Sequence, residues 1–258
     1  MRDTVAVTSP HQRWLVEQIT AGDSLDVVCL MGKNVDPETA EPTMSDLARL
    51  ERATLFFTLG SLTPFERIAI GKIGDGNTRP TPVNTTLDID LLTDEDNAAS
   101  ADPHVTASLR NLRAMAKVMA ARLADEHPAM ADRYRRQHQR LDSTLQALDD
   151  SISHLLDNAP SRAFIVWHPT FGYFARDYNL RQIAIDDGHE LTARHLRDVS
   201  DSIRQSGARV MIIQEGVDNR MANAIARELH LTVITIDPAA DNPIQQLQII
   251  AHALSSAP

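Results

Sequence analysis

The chain has 258 residues, of which 43% are hydrophobic and 23% charged, with a single cysteine and ten histidines. That balance suits one large domain or two lobes with a sizeable core, and it excludes a disulfide-stapled miniprotein, a multi-cysteine metal site and a globally disordered chain. The net charge of −10, from 25 basic and 35 acidic residues, leaves no basic footprint of the kind that nucleic acid requires.

In chain order, Val5-Ala6-Val7-Thr8 reads as a short strand. Ser9-Pro10 then opens a helix carrying Trp14, Leu15, Val16 and Ile19. Residues 25–30 form a second strand whose Cys29 reads as a small buried apolar residue. A polar segment over 32–43 leads to a helix over 44–52. A third strand, Thr54-Leu55-Phe56-Phe57, runs on towards Gly60, and a helix over 64–70 follows. Strands alternating with helices predict a parallel sheet with helices on its faces.

Residues 93–103 turn to Asp, Glu, Asn, Ala and Ser and read as a loop. Beyond it Leu109, Leu112, Ala116, Met119 and Leu123 fall at helical spacing. Pro128 must interrupt that helix, because it lacks an N–H and clashes with the preceding turn. A second helix is predicted over 129–157, with Leu141, Leu145, Leu148, Ile152 and Leu155 as its apolar stripe. The last hundred residues alternate again. Strands are predicted at 163–167, 182–185, 209–213 and 232–236, with helices at 171–178, 192–206, 219–229 and 244–254. Gly207 stands where a helix C-terminal cap is expected. The fold class is therefore α/β: two similar Rossmann-like lobes with parallel sheets, over 1–103 and 159–258, joined by linking helices over 104–158.

No apolar run approaches the ~20 residues needed to span a bilayer. Met1-Arg2-Asp3-Thr4-Val5 carries no signal-peptide core, as expected of a cytosolic protein or of one whose leader is absent. The lysines are Lys33, Lys72 and Lys117, which leaves few candidates for Schiff-base chemistry. There is no P-loop, no G-x-G-x-x-G after a strand and no G-x-S-x-G. Gly71-Lys72-Ile73-Gly74-Asp75-Gly76 lacks P-loop spacing and reads as a turn.

With cysteine excluded, the histidines and acids at strand ends carry the chemistry. Glu38 follows the second strand and His104 follows Asp102-Pro103. His168 follows a strand directly, and Glu215 and Asp237 follow the two last strands. Ligands of open α/β sheets bind outside the carboxyl ends of strands, so two facing lobes would place a metal site in the cleft between them. Imidazole suits zinc, and added carboxylate makes manganese feasible. Other roles are open at each position. His168 could cap its strand end. His104 could begin the long helix with Asp102 as its cap. Glu38, Glu215 and Asp237 could be solvated turn residues. The other eight histidines read as surface or helix-face residues. His189 and His195 flank Glu190 without sharing a helix face.

These residues sit in contexts that resemble the zinc- and manganese-specific solute-binding proteins of bacterial ABC transporters, over nearly the whole chain. Asp36-Pro37-Glu38-Thr39-Ala40-Glu41-Pro42-Thr43 is similar to that family's first metal segment, usually Asp-Pro-His followed by Glu-Pro-Thr. Asp102-Pro103-His104 resembles the second. His168-Pro169-Thr170-Phe171-Gly172-Tyr173-Phe174-Ala175 resembles the third and is the most specific match. Gln214-Glu215 and Ile236-Asp237-Pro238 resemble the remaining signatures.

The resemblance implies capture of a divalent ion, zinc before manganese, as a transported ligand, and its delivery to an ABC transporter permease. It implies no enzymatic activity. His104 and His168 are the ligands it carries over most directly. Asp237 matches the family's aspartate and is preferred as the fourth ligand. Glu215 matches the glutamate of manganese-type members and competes with it. Glu38 stands where the first-loop histidine usually is, and that departure leaves the metal open. The histidine-rich loop of many zinc members is missing. The resemblance also implies a monomer without a disulfide partner, periplasmic or membrane-anchored outside the cytoplasm, whose leader is absent from this chain. Two other classes remain: a metal-dependent hydrolase with Glu215 as general base, and an interaction protein of the same fold that has lost metal binding.

Overall fold

Short β-branched and aromatic runs form the sheets. In a computed structural model, residues 3–21, 23, 25–32, 35, 37–73, 80–93, 101–186, 192–216, 219–237, 240 and 242–257 are described. The chain divides into two units, Met1–Ala147 with Ala239–Asn242 and Leu148–Pro238 with Pro243–Pro258. The division falls inside one long helix.

In the first unit the strands β1 (Thr4–Val7), β2 (Asp26–Cys29), β3 (Leu55–Thr58) and β4 (Thr81–Asn84) form a parallel sheet in the order β2-β1-β3-β4. β1 and β3 are central, and Val5, Ala6, Val7, Leu55, Phe56 and Phe57 have no exposed surface. Burying an aliphatic or Phe side chain of this kind contributes about 1.5–3 kcal/mol. The sequence does not announce β4, because Pro82 removes a ladder donor. Among the described residues β4 pairs with β3 alone, with Phe56 opposite Pro82, and proline is tolerated on such an edge.

Three helices, α1 (Pro10–Ile19), α2 (Met44–Leu50) and α3 (Pro64–Ile73), connect these strands. α1 begins where the sequence says it must. Ser9 Oγ accepts from the Gln12 N–H at 3.3 Å, Gln12 Oε1 accepts from the Ser9 N–H at 3.1 Å, and Pro10 fills the first turn. Its buried face is Gln12, Leu15, Val16 and Ile19, with Trp14 half-buried at its side. α3 continues through Gly71-Lys72-Ile73, so those residues are helical and not a turn. Gly74, Asp75 and Gly76 lie outside the described residues.

Gly60 and Ser61 link β3 to α3 with positive φ values of 78° and 65°. A β-carbon at Gly60 would come within 2.7 Å of Thr86 Oγ1 and 2.8 Å of Asn84 Oδ1. Gly60→Ala is therefore expected to cost about 2 kcal/mol, from the left-handed backbone together with the clash. Urea denaturation of parent and variant measures it, and an unchanged midpoint contradicts it.

α4 (Leu109–Glu126) buries Leu109, Leu112, Met115, Ala116, Met119 and Leu123, and a 3₁₀ turn at Pro128–Met130 leads into α5 (Ala131–Asp157). The early part of α5 is tied to the first unit. The fully buried Tyr134 donates its hydroxyl to Asp23 Oδ2, and burial, aided by that carboxylate, raises its pKa. The buried face of α5 departs from the expected leucine stripe. Leu141, Leu145, Ile152 and Leu156 are buried, whereas Leu148 and Leu155 are half-buried. Asp149 holds the intervening buried position, where its carboxylate accepts the Tyr178 hydroxyl at 2.8 Å.

The second unit repeats the topology. β5 (Ala163–Val166), β6 (Arg181–Ala184), β7 (Val210–Gln214) and β8 (Thr232–Ile236) form a parallel sheet in the order β6-β5-β7-β8. Its helices are α6 (Gly172–Asp177), α7 (Ala193–Ser206), α8 (Arg220–Glu228) and α9 (Pro243–Ser256). Gly207 caps α7 with φ 67°, as expected. In both sheets the chain leaves the first strand in one direction and later returns to its other side. The switch points thus lie between β1 and β3 and between β5 and β7, where ligands of open α/β sheets bind at the carboxyl ends. Among the described residues no helix is long and apolar enough to cross a membrane.

Candidate metal centre

In the first unit His104 sits in a segment, residues 102–108, that leads into α4. Asp102 does not cap that helix. Ser108 does, its side chain accepting from the Asn111 N–H at 3.0 Å. Asp102 instead folds back on His104, one carboxylate oxygen accepting both the backbone N–H and ring Nδ1 at 2.8 Å. An ionised carboxylate only accepts, so the neutral imidazole carries its proton on Nδ1 and its lone pair on Nε2. A carboxylate that fixes the ring and its tautomer in this way is the usual neighbour of a metal-bound histidine. The His104 side chain is 9% exposed and that of Asp102 19%, so the pair is largely shielded from solvent screening.

The rest of the segment is held as firmly. Ala107 N–H donates to the His104 carbonyl at 3.0 Å. The amide of the buried Asn111 donates to the Val105 carbonyl at 2.9 Å. Thr106 Oγ1 lies 2.8 Å from Nδ1 of His11 in the first turn of α1. Glu38, on an exposed turn after β2, brings a carboxylate oxygen within 4.8 Å of a His104 ring nitrogen. Asp36, of the same motif, lies outside the described residues.

In the second unit His168 follows β5 and is half-buried. Its carbonyl accepts the Thr170 N–H at 2.8 Å, and Thr170 Oγ1 in turn accepts from Gln214 Nε2 at 3.1 Å. The end of β7 therefore braces the loop after β5. Glu215 follows β7, its N–H donating to the Ile236 carbonyl at 2.9 Å while its carboxylate is exposed. Asp237 follows β8, half-buried, its N–H held by Gln246 Oε1 at 3.1 Å. His168, Glu215 and Asp237 thus stand at the carboxyl ends of β5, β7 and β8, with the β5–β7 switch point between the first two. Pro238, His189 and Glu190 lie outside the described residues.

One expectation is corrected. Cys29 is half-buried, with Sγ 3.1 Å from the Met31 carbonyl, rather than an apolar core residue. Of the remaining histidines, His11, His138 and His195 lie on helices, as expected of helix-face residues, and His127 ends α4. His11, His127, His138 and His195 are all partly buried. His195 Nε2 meets the Ile185 carbonyl at 3.0 Å, and the His127 ring packs edge-on to Tyr134.

Spacing also gives no sign of Glu66, which has no exposed surface on α3. Its carboxylate accepts from the Thr8 hydroxyl, from Leu59 N–H at 2.5 Å and from Ser61 N–H at 2.9 Å. It thereby ties the carboxyl ends of β1 and β3 together beneath the first switch point. Burial pushes its carboxyl pKa up, against the pull of those hydrogen bonds.

Residues 5–255 match the family described as zinc-uptake complex component A, periplasmic, or ZnuA. A Chlamydia trachomatis protein named in general terms as metal-binding is 27% identical over 260 residues, covering 99% of this chain and 91% of its own. The high-affinity zinc uptake system protein ZnuA of Bacillus subtilis is 25% identical over 223 residues, 80% of this chain and 69% of that protein. A crystal structure of ZnuA superposes with a TM-score of 0.89 at 29% identity, covering 100% of this chain and 99% of that one. A match that runs almost end to end, on a chain with two like-wound parallel sheets, leads to one conclusion: this protein belongs to the ZnuA family of extracytoplasmic metal-uptake components.

Proposed function

We propose that the protein captures a divalent metal ion outside the cytoplasm and delivers it to an ABC transporter permease. Zinc is the preferred ion and manganese the weaker one. The carrying observation is the His104–Asp102 pair, a ring whose Nε2 is set up as a ligand, in a chain that matches a zinc-uptake family from residue 5 to 255.

The proposed ligands are Glu38, His104, His168 and Asp237, with Glu215 as the competing fourth. Glu38 and His104 stand close together in the first unit, and His168 offers a second imidazole in the other. Two imidazole nitrogens with carboxylate oxygens suit four-coordinate zinc. Nitrogen-containing sites generally bind zinc more tightly than manganese, which follows the stability order of first-row ions. Four protein ligands would leave no open position for substrate, so the role is carriage and not catalysis. The family description and the names of the relatives support the transport role and the extracytoplasmic location.

Calorimetric titration of the metal-free protein tests the proposal. One zinc per chain is expected, with manganese binding more weakly. An absence of stoichiometric binding of either ion overturns it. Asp102→Ala should weaken zinc binding about 10–100-fold, because a carboxylate that orients a ligand is worth that much. Competition against a chromophoric chelator reads the change, and an unchanged affinity shows that Asp102 does not orient the ligand.

A further inference from the structure

We propose that His11 is a positioning residue for the metal ligand His104, acting through Thr106. The proposal rests on the metal-capture function above.

His104 belongs to a segment whose start is tied to the stretch after β4, the Asp102 N–H donating to the Leu92 carbonyl at 2.8 Å. Asp102 reaches the His104 ring from two residues away, and Asn111 reaches Val105 from six. These bonds shape the segment and hold its start, and the bond from Thr106 to α1 adds a hold on its middle. The His11–Thr106 bond spans 95 residues of sequence and does so at 2.8 Å. It joins the segment to the first turn of α1, directly after β1 and beside the first switch point.

α1 is a firm anchor at that end. Its first turn is closed by the Ser9–Gln12 capping box and by Pro10. Gln12 is fully buried, accepts the Thr8 N–H at 3.0 Å and donates to Thr85 Oγ1 at 3.2 Å. Ligands are held accurately when the groups that support them sit on rigid elements. His11 is thus the bolt between a rigid helix start and the segment that carries the ligand ring. Either partner can donate, since the threonine hydroxyl rotates and one ring nitrogen of a neutral imidazole accepts.

The test is a double-mutant cycle read as zinc affinity and zinc release rate, with the melting temperature of the metal-free protein measured alongside. His11→Ala and Thr106→Val should each weaken zinc about tenfold, the lower end for groups behind a ligand. Each should speed zinc release. The double variant should bind no more weakly than the worse single, because both changes remove one bond. His11→Asn, which retains a side-chain amide, should recover part of the affinity, and His11→Phe, which retains only the ring, should not.

Thr106→Val is nearly isosteric and decides the matter if His11→Ala fails to fold. Zinc affinities matching the parent, or losses that add in the double variant, overturn the proposal. His104→Ala separates the two levels. If the parent binds zinc, His104→Ala loses it and the His11 and Thr106 variants bind as the parent does, the positioning role alone fails. If His104→Ala binds zinc like the parent, the ligand assignment fails and the positioning role with it, and if the parent binds neither ion, the capture function fails.

Discussion

Alanine at both His104 and His168 is expected to abolish stoichiometric zinc binding. Each substitution removes one of the two proposed nitrogen donors, the ligand type that suits the site to zinc. Removing a group that merely orients a ligand costs up to about 100-fold. Removing the ligand itself should cost at least that much, about 2.7 kcal/mol apiece. The double variant then falls by roughly ten-thousandfold or more, beyond calorimetric detection.

Thermal melting gives an independent readout. Zinc at a hundred times its Kd should stabilise the parent by about 2.7 kcal/mol, and the double variant should show no rise. The metal-free melting temperature of each variant is measured alongside, so that loss of the largely shielded His104 ring is read apart from loss of zinc. Asp237→Ala and Glu215→Ala extend the test to the fourth ligand. The half-buried Asp237 should cost more affinity than the exposed Glu215, and the reverse order would assign that position to Glu215.

The second large effect concerns stability. Glu66→Ala strands the N–H groups of Leu59 and Ser61 and leaves the Thr8 hydroxyl with a long 3.4 Å bond to the Phe57 carbonyl. Each buried donor left without an acceptor costs about 1–3 kcal/mol, so the loss should reach about 3 kcal/mol or more. In a chain of this size that lowers the melting temperature by roughly 6–12 °C. A shift of only a degree or two would show that water or relaxation replaces the carboxylate.

The same residue sets a pH dependence. Burial raises the folded-state pKa of Glu66 above its ordinary 4.5, so folding favours the protonated acid. That contribution is whole below about pH 4.5 and is lost as pH rises through the raised value. Glu66→Gln cannot titrate. In the metal-free protein, parent stability should therefore gain on that of the Gln variant as pH falls through this range. Urea midpoints measured across acid pH would show a constant gap if Glu66 does not titrate there.

Much of the fold was legible because local signals agreed with the final arrangement. Phe56 and Phe57 in a short apolar run mark a central strand. Ser9-Pro10 before an apolar periodicity marks a helix start, and Gly207 marks a helix end. The signals fail where tertiary context decides. Pro82 argues against a strand until its place at a sheet edge is known. Asp149 occupies a buried position on α5 because Tyr178, 29 residues on, supplies a hydroxyl. The motif around Asp102-Pro103-His104 was readable as a possible ligand segment or as a helix start, and the bond from Asp102 to the ring favours the former. His11 and Glu66 gave no sign, since one acts across 95 residues and the other is marked by burial rather than by spacing.

The most direct test of the central claim is a crystal structure of the zinc-loaded protein with anomalous data at the zinc edge. One zinc is expected, bound by Glu38, His104, His168 and Asp237, with Nε2 of His104 on the ion and Nδ1 on Asp102. A zinc peak at other residues, or none while both histidines remain without metal, would contradict it.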